Sequence, residues 1–442
     1  MSIMISQLKN ELRNNVDYDG IVGHLGRIVC GSPFENHVFT VGGCERDRLM
    51  GKPIKDIDIV IDLPNGGIQF AQWLESMGYT HGHVVVYEHY GTAMFKLKEF
   101  PYTEIEAVQT RKECYRNMES RNPETAYGSI EEDCRRRDFT INAIYRNIST
   151  GRAVDYTGRS LKDLENRVIV SCGEPDIIFS EDPLRILRAV RFTFRYDGFR
   201  IEEETYRGMC RNVNRLGIVS QERITDEFSK MICSDFAYES FEMLRSIGAL
   251  RYVIPFNREG GDMEKFYLRF LIIDPSINKV PDVITIRLSR VFSHLLDGEI
   301  KTVMRNMRYP TSTIDNTIWF ANHSDWSVFS SDVGLRRYIY DARTLGRLRF
   351  CMKMFRALGY DTKSLDKRIF QSLNFKFIGY KLPVDGNDVM KGLNVAGGPL
   401  IGKILDELLN EAFRNPLITK EECMDRAAEI KKENDGMARF LQ

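Results

Sequence analysis

Alternating apolar residues, the mark of a half-buried strand, crowd into the first third of this chain and almost vanish after it. HVFTV at 37–41, IDIVID at 57–62, HVVVY at 83–87, TAMFKLK at 92–98 and EIEAV at 104–108 all carry the two-residue period, which sends successive side chains to opposite faces. Helical patterns run between them at 5–30, 44–51 and 69–78, and 138–148 starts helical. Strands and helices mixed in this way up to about residue 155 predict a small α/β or α+β head. From about residue 176 the period becomes that of amphipathic helices, at 181–196, 202–214, 220–233, 238–249, 364–373, 399–413 and 420–433, so the remainder is expected to be mostly helical. A chain of 442 residues is too long for one compact core, and two to four domains are expected.

Charge narrows the function less than it first promises. Lys+Arg and Asp+Glu both number 62, so any contact with a nucleic acid must come from local patches rather than from net charge. Two such patches stand out, Arg135–Arg137 and the run from Arg185 to Arg195. No stretch approaches the roughly 18 consecutive apolar residues of a membrane span, and the first fifteen residues turn polar too early for a secretory h-region. The nine cysteines are scattered with no CxxC pair. A reduced, cytoplasmic protein without a membrane partner is the expectation.

The chemistry concentrates around Lys55-Asp56-Ile57-Asp58-Ile59-Val60-Ile61. On a strand, Asp56 and Asp58 share one face while Ile57, Ile59 and Ile61 face a core. Two carboxylates side by side repel unless a cation joins them, and hard oxygen donors suit Mg²⁺, which takes one or two carboxylates and completes its shell with water and phosphate oxygens. Glu106, with Glu104 on the same face, offers a third acid from another strand. The alternative is an edge strand wearing solubilising acids. Upstream, a strand runs into Gly42-Gly43 and then a helical turn, where main-chain N–H groups can approach a triphosphate and Arg46 can add a guanidinium.

Val41-Gly-Gly-Cys-Glu-Arg-Asp47, followed by the Asp-x-Asp pair, resembles the signature of the polymerase β-like nucleotidyltransferases, specifically the class II CCA-adding enzymes and bacterial poly(A) polymerases. Glu45 departs from the family's usual valine and is expected to point to solvent. The resemblance continues in Glu131–Ala143, close to the family's Arg-Arg-Asp-Phe-Thr-Ile-Asn-Ala motif, where Arg137 is placed to hold phosphate oxygens and Asp138 to cap a helix with Asn142 facing back. Gln109–Tyr127 is similar to the loop between these motifs in enzymes that add the terminal A, and Asp155–Leu164 to the hinge joining head to neck.

Ser180-Glu-Asp-Pro-Leu-Arg-Ile-Leu-Arg-Ala-Val-Arg191 resembles the family's Glu-Asp-x-x-Arg motif and the basic helix behind it. Read locally, Ser180 is an N-cap, Asp182 a partner for the helix dipole, and Arg185, Arg188, Arg191 and Arg195 a single face. Read through the resemblance, the protein is its own template. Asp182 accepts from the exocyclic amino group of C or A, Arg185 donates to the adjacent ring nitrogen, and Arg188 and Arg191 reach the triphosphate or the base. U and G present a carbonyl where the amino group should be. Gln221–Phe228 resembles a supporting neck helix, and Leu382–Val389 with Gly397–Leu405 the tail segment that contacts the tRNA elbow; no motif stands out between 236 and 380.

The resemblance therefore implies an α+β fold, with a nucleotidyltransferase head (1–155), a neck carrying the template helix (156–235), a helical body (236–380) and a helical tail (381–442). It implies addition of CCA to tRNA 3′ ends from CTP and ATP with Mg²⁺, with poly(A) addition as the alternative. The site it implies comprises Asp56 and Asp58 as metal ligands, Glu106 beside them to orient or deprotonate the 3′-hydroxyl, and Gly43, Arg46, Arg137, Asp138, Asn142, Asp182, Arg185, Arg188 and Arg191 around the nucleotide. No residue pattern points to a protein partner.

Overall fold

A computed structural model describes residues 16–88, 91–114, 124–255 and 283–440. The chain divides into two compact units, the first Met1–Arg258 with Asn306–Arg308, the second Glu259–Arg305 with Tyr309–Gln442.

The first unit is built on a seven-stranded sheet in the order β3-β4-β5-β2-β1-β8-β9. Its strands are β1 (Val38–Val41), β2 (Ile57–Ile61), β3 (Val85–Tyr87), β4 (Thr92–Phe95), β5 (Ile105–Gln109), β8 (Tyr145–Asn147) and β9 (Ala153–Val154). All neighbours pair antiparallel except β2 and β5, which run parallel. On one face α1 (Tyr18–Val29) and α3 (Gly66–Ser76) cover Ile57, Ile59, Ile61, Phe95, Ile105 and Ala107 with Ile21, Leu25, Phe70 and Leu74. The opposite face has a smaller core in which Phe39, Val41 and Val60 meet Tyr145 and Ile130 and Cys134 of α4 (Ile130–Arg135). A two-residue period on β2 thus buries three isoleucines on one side and leaves Asp58 and Val60 on the other. A hairpin of β6 (Arg111–Cys114) and β7 (Glu124–Tyr127) stands apart from this sheet. The loop expected over Gln109–Tyr127 includes both of these strands, and its residues 115–123 fall outside the described ones.

Beyond the sheet, α5 (Ser160–Glu165) leads to the short parallel pair β10 (Val168–Ile169) and β11 (Arg200–Ile201), and then to helices. The single helix expected over 181–196 is two, α6 (Pro175–Glu181) and α7 (Leu184–Arg195). Pro183 is the cause: it forces the preceding residue out of the helical region, and Asp182 is extended at φ −131° and ψ 93°. Ser180 consequently lies inside α6, its hydroxyl donating to Ile177 O, and is no N-cap. The helical start expected at 138–148 is one 3₁₀ turn, Thr140–Asn142, because Tyr145–Asn147 is taken up as β8 beside β1. Helices α8 (Glu203–Asn212), α9 (Gln221–Ile232), α10 (Ala237–Ser246) and α11 (Leu250–Val253) complete the unit.

The described part of the second unit is helical throughout. One core gathers Phe320, Phe329, Tyr338, Phe355 and Phe377, and a second gathers Val389, Ile404, Leu408, Ala427 and Ile430. Asp385 and Asp388 form a reciprocal capping box at the start of helix Gly386–Leu393, which is why Val-Asp-Gly-Asn-Asp begins a helix there. No helix among the described residues is long and apolar enough to cross a membrane.

Candidate active site

Asp58 and Glu106 are register partners across the parallel pair β2–β5, so their side chains leave the same face of neighbouring strands. Asp58 is half-buried, and Asp56 is exposed just before the strand. Burial, with Glu106 and Asp56 adding to it against the pull of Arg137, pushes the Asp58 carboxyl up to about 6. A divalent cation between these acids would remove that penalty, and the all-oxygen donor set suits it. Among the described residues, no three acidic, histidine or cysteine side chains close tightly enough to hold a metal on their own.

The Gly42-Gly43 turn faces these acids. Gly42 has φ 81° and ψ −131°, a region that residues with a Cβ avoid. A Cβ there would lie 3.7 Å from Nη1 of Arg137 and 3.9 Å from Oδ2 of Asp58, which brings turn, acid and guanidinium to one point. Helix α2 (Gly43–Leu49) follows. Arg46, expected beside the phosphates, lies at the turn, its Nη2 3.6 Å from where a Cβ of Gly43 would stand, and is anchored there. Its Nε and Nη2 donate to Asp47, Nη1 donates to Asn142, and its guanidinium lies 5.1 Å from the ring centroids of both Phe192 and Tyr196. Glu45, expected in solvent, is completely buried. It accepts from Tyr18 and Thr40 and from both Nε and Nη2 of Arg48. The expectation failed because a seven-residue helix packed against β1 and α1 has no free face at that position.

The basic residues of α7 form no free stripe either. Arg185 is buried, its Nη1 donating to Ile178 O at 3.1 Å and its Nη2 to Arg136 O at 2.7 Å. Arg188 donates through Nε and Nη2 to Asp138 at 2.8 and 2.7 Å, and Arg191 through Nε to Glu227 at 2.5 Å. Asp138 also accepts from Asn142 at 3.0 Å, so Arg46, Asn142, Asp138 and Arg188 make one continuous ladder from the Gly-Gly turn to α7. Burial opposes charge on Asp138, but Arg188 and Asn142 hold its carboxyl down at about 2. Asp182 accepts from Leu184 N at 3.2 Å and from Arg223 Nη2 at 2.9 Å.

Comparison with known proteins places this geometry. Residues 38–170 match the poly(A) polymerase head domain, and residues 198–258 the probable RNA- and SrmB-binding site of polymerase A. The CCA-adding enzyme of Geobacillus sp. (strain WCH70) is 30% identical over 387 residues, covering 83% of this chain and 86% of that protein. This chain belongs to the CCA-adding enzyme and poly(A) polymerase family. The CCA-adding enzyme of Ligilactobacillus salivarius (strain UCC118) is 28% identical over 89% of this chain and 93% of its own length. In fold, the chain is similar to the crystal structure of the Bacillus stearothermophilus CCA-adding enzyme in complex with CTP, with a TM-score of 0.62 at 22% identity over 91% of this chain and 94% of that one.

Several residues that hold this arrangement together were not among the expected site residues. Asp47 accepts from Tyr196 at 2.6 Å and pairs with Arg195 at 3.6 Å. From α9, within the stretch expected to support the site, Glu227 holds Arg191 of α7 and Arg223 holds Asp182 before it, and Asp133 serves Arg137. Asp133 alone carried a local signal, its spacing of four from Arg137, which aligns the two along a helical turn. The others come from distant segments, where spacing carries no information.

Proposed function

We propose that this protein is a tRNA nucleotidyltransferase that completes the 3′-terminal CCA from CTP and ATP with Mg²⁺, in the cytoplasm, using a head (1–155), neck (156–235), body (236–380) and tail (381–442). The observation that carries the reading is the meeting of Asp58 and Arg137 Nη1 at the Gly42 turn, with Glu106 beside Asp58 on the next strand, in a chain whose relatives over most of their length are CCA-adding enzymes.

Asp56 and Asp58 would hold the metal. When bound, Mg²⁺ supplies Lewis-acid polarisation of the phosphoryl oxygens and neutralises the charge of the leaving pyrophosphate. Glu106 accepts a hydrogen bond, and then the proton, from the RNA 3′-hydroxyl as that oxygen attacks the α-phosphorus. Gly43 lets the main chain approach the triphosphate, and Arg137 offers Nη1 to its oxygens. Arg46, Asn142, Asp138 and Arg188 hold the turn against α7, so that the head and the base-reading residues act as one frame. Asp182 accepts from the amino group of C or A. Arg185, fixed by two carbonyls, directs its remaining donors at the ring edge, and Arg191 stands behind on Glu227.

Asp58→Asn and Asp56→Ala test this directly. Each should reduce incorporation of both CTP and ATP to below a few per cent while tRNA binding by gel shift stays near the parental value. Retention of substantial activity by either variant would remove the metal assignment.

A further inference from the structure

Asp133 is completely buried, and nothing in the reaction outlined above uses it. Its Oδ2 accepts from Arg137 Nε at 3.2 Å and Nη2 at 2.9 Å, and from Tyr145 OH at 2.7 Å. Tyr145 OH in turn accepts from Arg137 Nε at 2.8 Å, and the Tyr145 ring centroid lies 5.2 Å from that guanidinium. Tyr145 is itself fully buried on β8, its ring edge-on to Phe39 and Tyr156. Its hydroxyl is therefore fixed by the sheet.

A guanidinium is a flat fork. With Nε and Nη2 turned inward to Asp133 and Tyr145, planarity leaves Nη1 on the outer side, and that nitrogen is the one beside the Gly42 turn. The other oxygen of Asp133 accepts from Arg136 Nε at 3.0 Å and Nη2 at 2.6 Å and from the main-chain N of Arg111 at 3.3 Å. The carbonyl of Arg136 is the acceptor for Arg185 Nη2. One carboxylate thus anchors the peptide that carries Arg137 and that restrains Arg185.

We propose that Asp133, together with the Tyr145 hydroxyl, is the positioning device that aims Arg137 at the nucleotide's phosphates. The inference rests on the function proposed above in taking Arg137 as a phosphate ligand. A plain core ion pair would contribute to stability and to nothing else. A positioning pair contributes to triphosphate affinity, does so through Arg137, and is indifferent to which base the triphosphate carries.

The experiment uses the full chain and measures binding of CTP and of ATP by calorimetry with Mg²⁺, alongside kcat and KM on tRNA lacking its 3′ end. Tyr145→Phe removes one hydroxyl from an otherwise unchanged core; it should weaken CTP and ATP alike by about tenfold, the lower end of the scale for a hydrogen bond to a charged group. Asp133→Asn should weaken both by roughly tenfold or more, as loss of a charged acceptor does. Discrimination against UTP should not change in Tyr145→Phe. In an Arg137→Ala background neither substitution should weaken CTP further, because the effect runs through the missing side chain.

Equal losses with and without Arg137, or parental CTP affinity in Tyr145→Phe, would overturn the inference. If Asp133→Asn does not fold, Tyr145→Phe and the double variant decide alone. A parent protein that binds CTP but extends no tRNA would retire the tRNA reading and leave this test intact.

Discussion

Asp138 holds Arg188 by Nε and Nη2, and Glu227 holds Arg191 by Nε, so each can turn only its remaining guanidinium donors toward a nucleotide. The acids opposite α7 therefore set what its arginines can do, and Asp138 offers a way to measure one pair. An unfolded chain protonates this carboxyl near the ordinary 3.8, the folded protein only near 2. Its stabilising contribution is accordingly complete above about pH 4, fades as the pH falls through that window, and is gone below about 2. Urea unfolding of the parent and of Asp138→Asn should differ by about 2 kcal/mol at neutral pH and converge in acid; parallel curves would show that the pair is not the cause. Asp182 makes a different prediction. Its two partners, Leu184 N and Arg223, position a carboxylate without occupying all of its lone pairs. Asp182→Ala should relax discrimination of CTP and ATP over UTP and GTP by about tenfold in kcat/KM, the scale of one misplaced buried hydrogen bond. An equal loss toward all four nucleotides would reduce Asp182 to a helix-terminal role.

Among the elements, α2 is the one whose reading from sequence was least secure. Its position was legible, since a strand running into Gly42-Gly43 before a polar stretch leaves few other solutions. The fate of its side chains was not. Which of Glu45, Arg46 and Asp47 is buried depends on α1 and α7, contributed by residues far away in the chain. Strand β2 was legible for the opposite reason: Ile57, Ile59 and Ile61 against Asp58 is a local alternation that any sheet would read the same way. The break at Asp182-Pro183 was also written locally, in the proline, but was obscured by the longer apolar period running through it. For α2 itself, burial raises the Glu45 carboxyl, against the pull of Arg48. Tyr18 OH and Thr40 Oγ1 lie 2.8 Å apart and can satisfy each other. Glu45→Val, which restores the family's usual residue, should then change unfolding free energy by no more than about 1 kcal/mol in either direction. A loss of about 3 kcal/mol or more would mean that the carboxylate is a structural keystone.

On the scale of the whole molecule, equal numbers of cationic and anionic residues follow from what the site needs. Each arginine of this frame has an acid: Asp47 and Asp138 of the head pair with Arg195 and Arg188 of α7, Asp133 pairs with Arg137 within the head, and Glu227 of α9 pairs with Arg191. Net charge therefore says little about RNA binding here, while the paired carboxylates and the proposed reading of C and A by Asp182 and Arg185 say more. With selection in the protein, as proposed, addition should be ordered and should stop at CCA. The most direct measurement supplies tRNA ending at the discriminator base, at C or at CC, with each nucleoside triphosphate alone and then with CTP and ATP together, and sequences the products. CTP alone should add two residues to the first substrate and one to the second, ATP alone should add one residue to the third, and the mixture should end at CCA in every case. Runs of A on any RNA 3′ end, indifferent to tRNA and to CTP, would contradict the account.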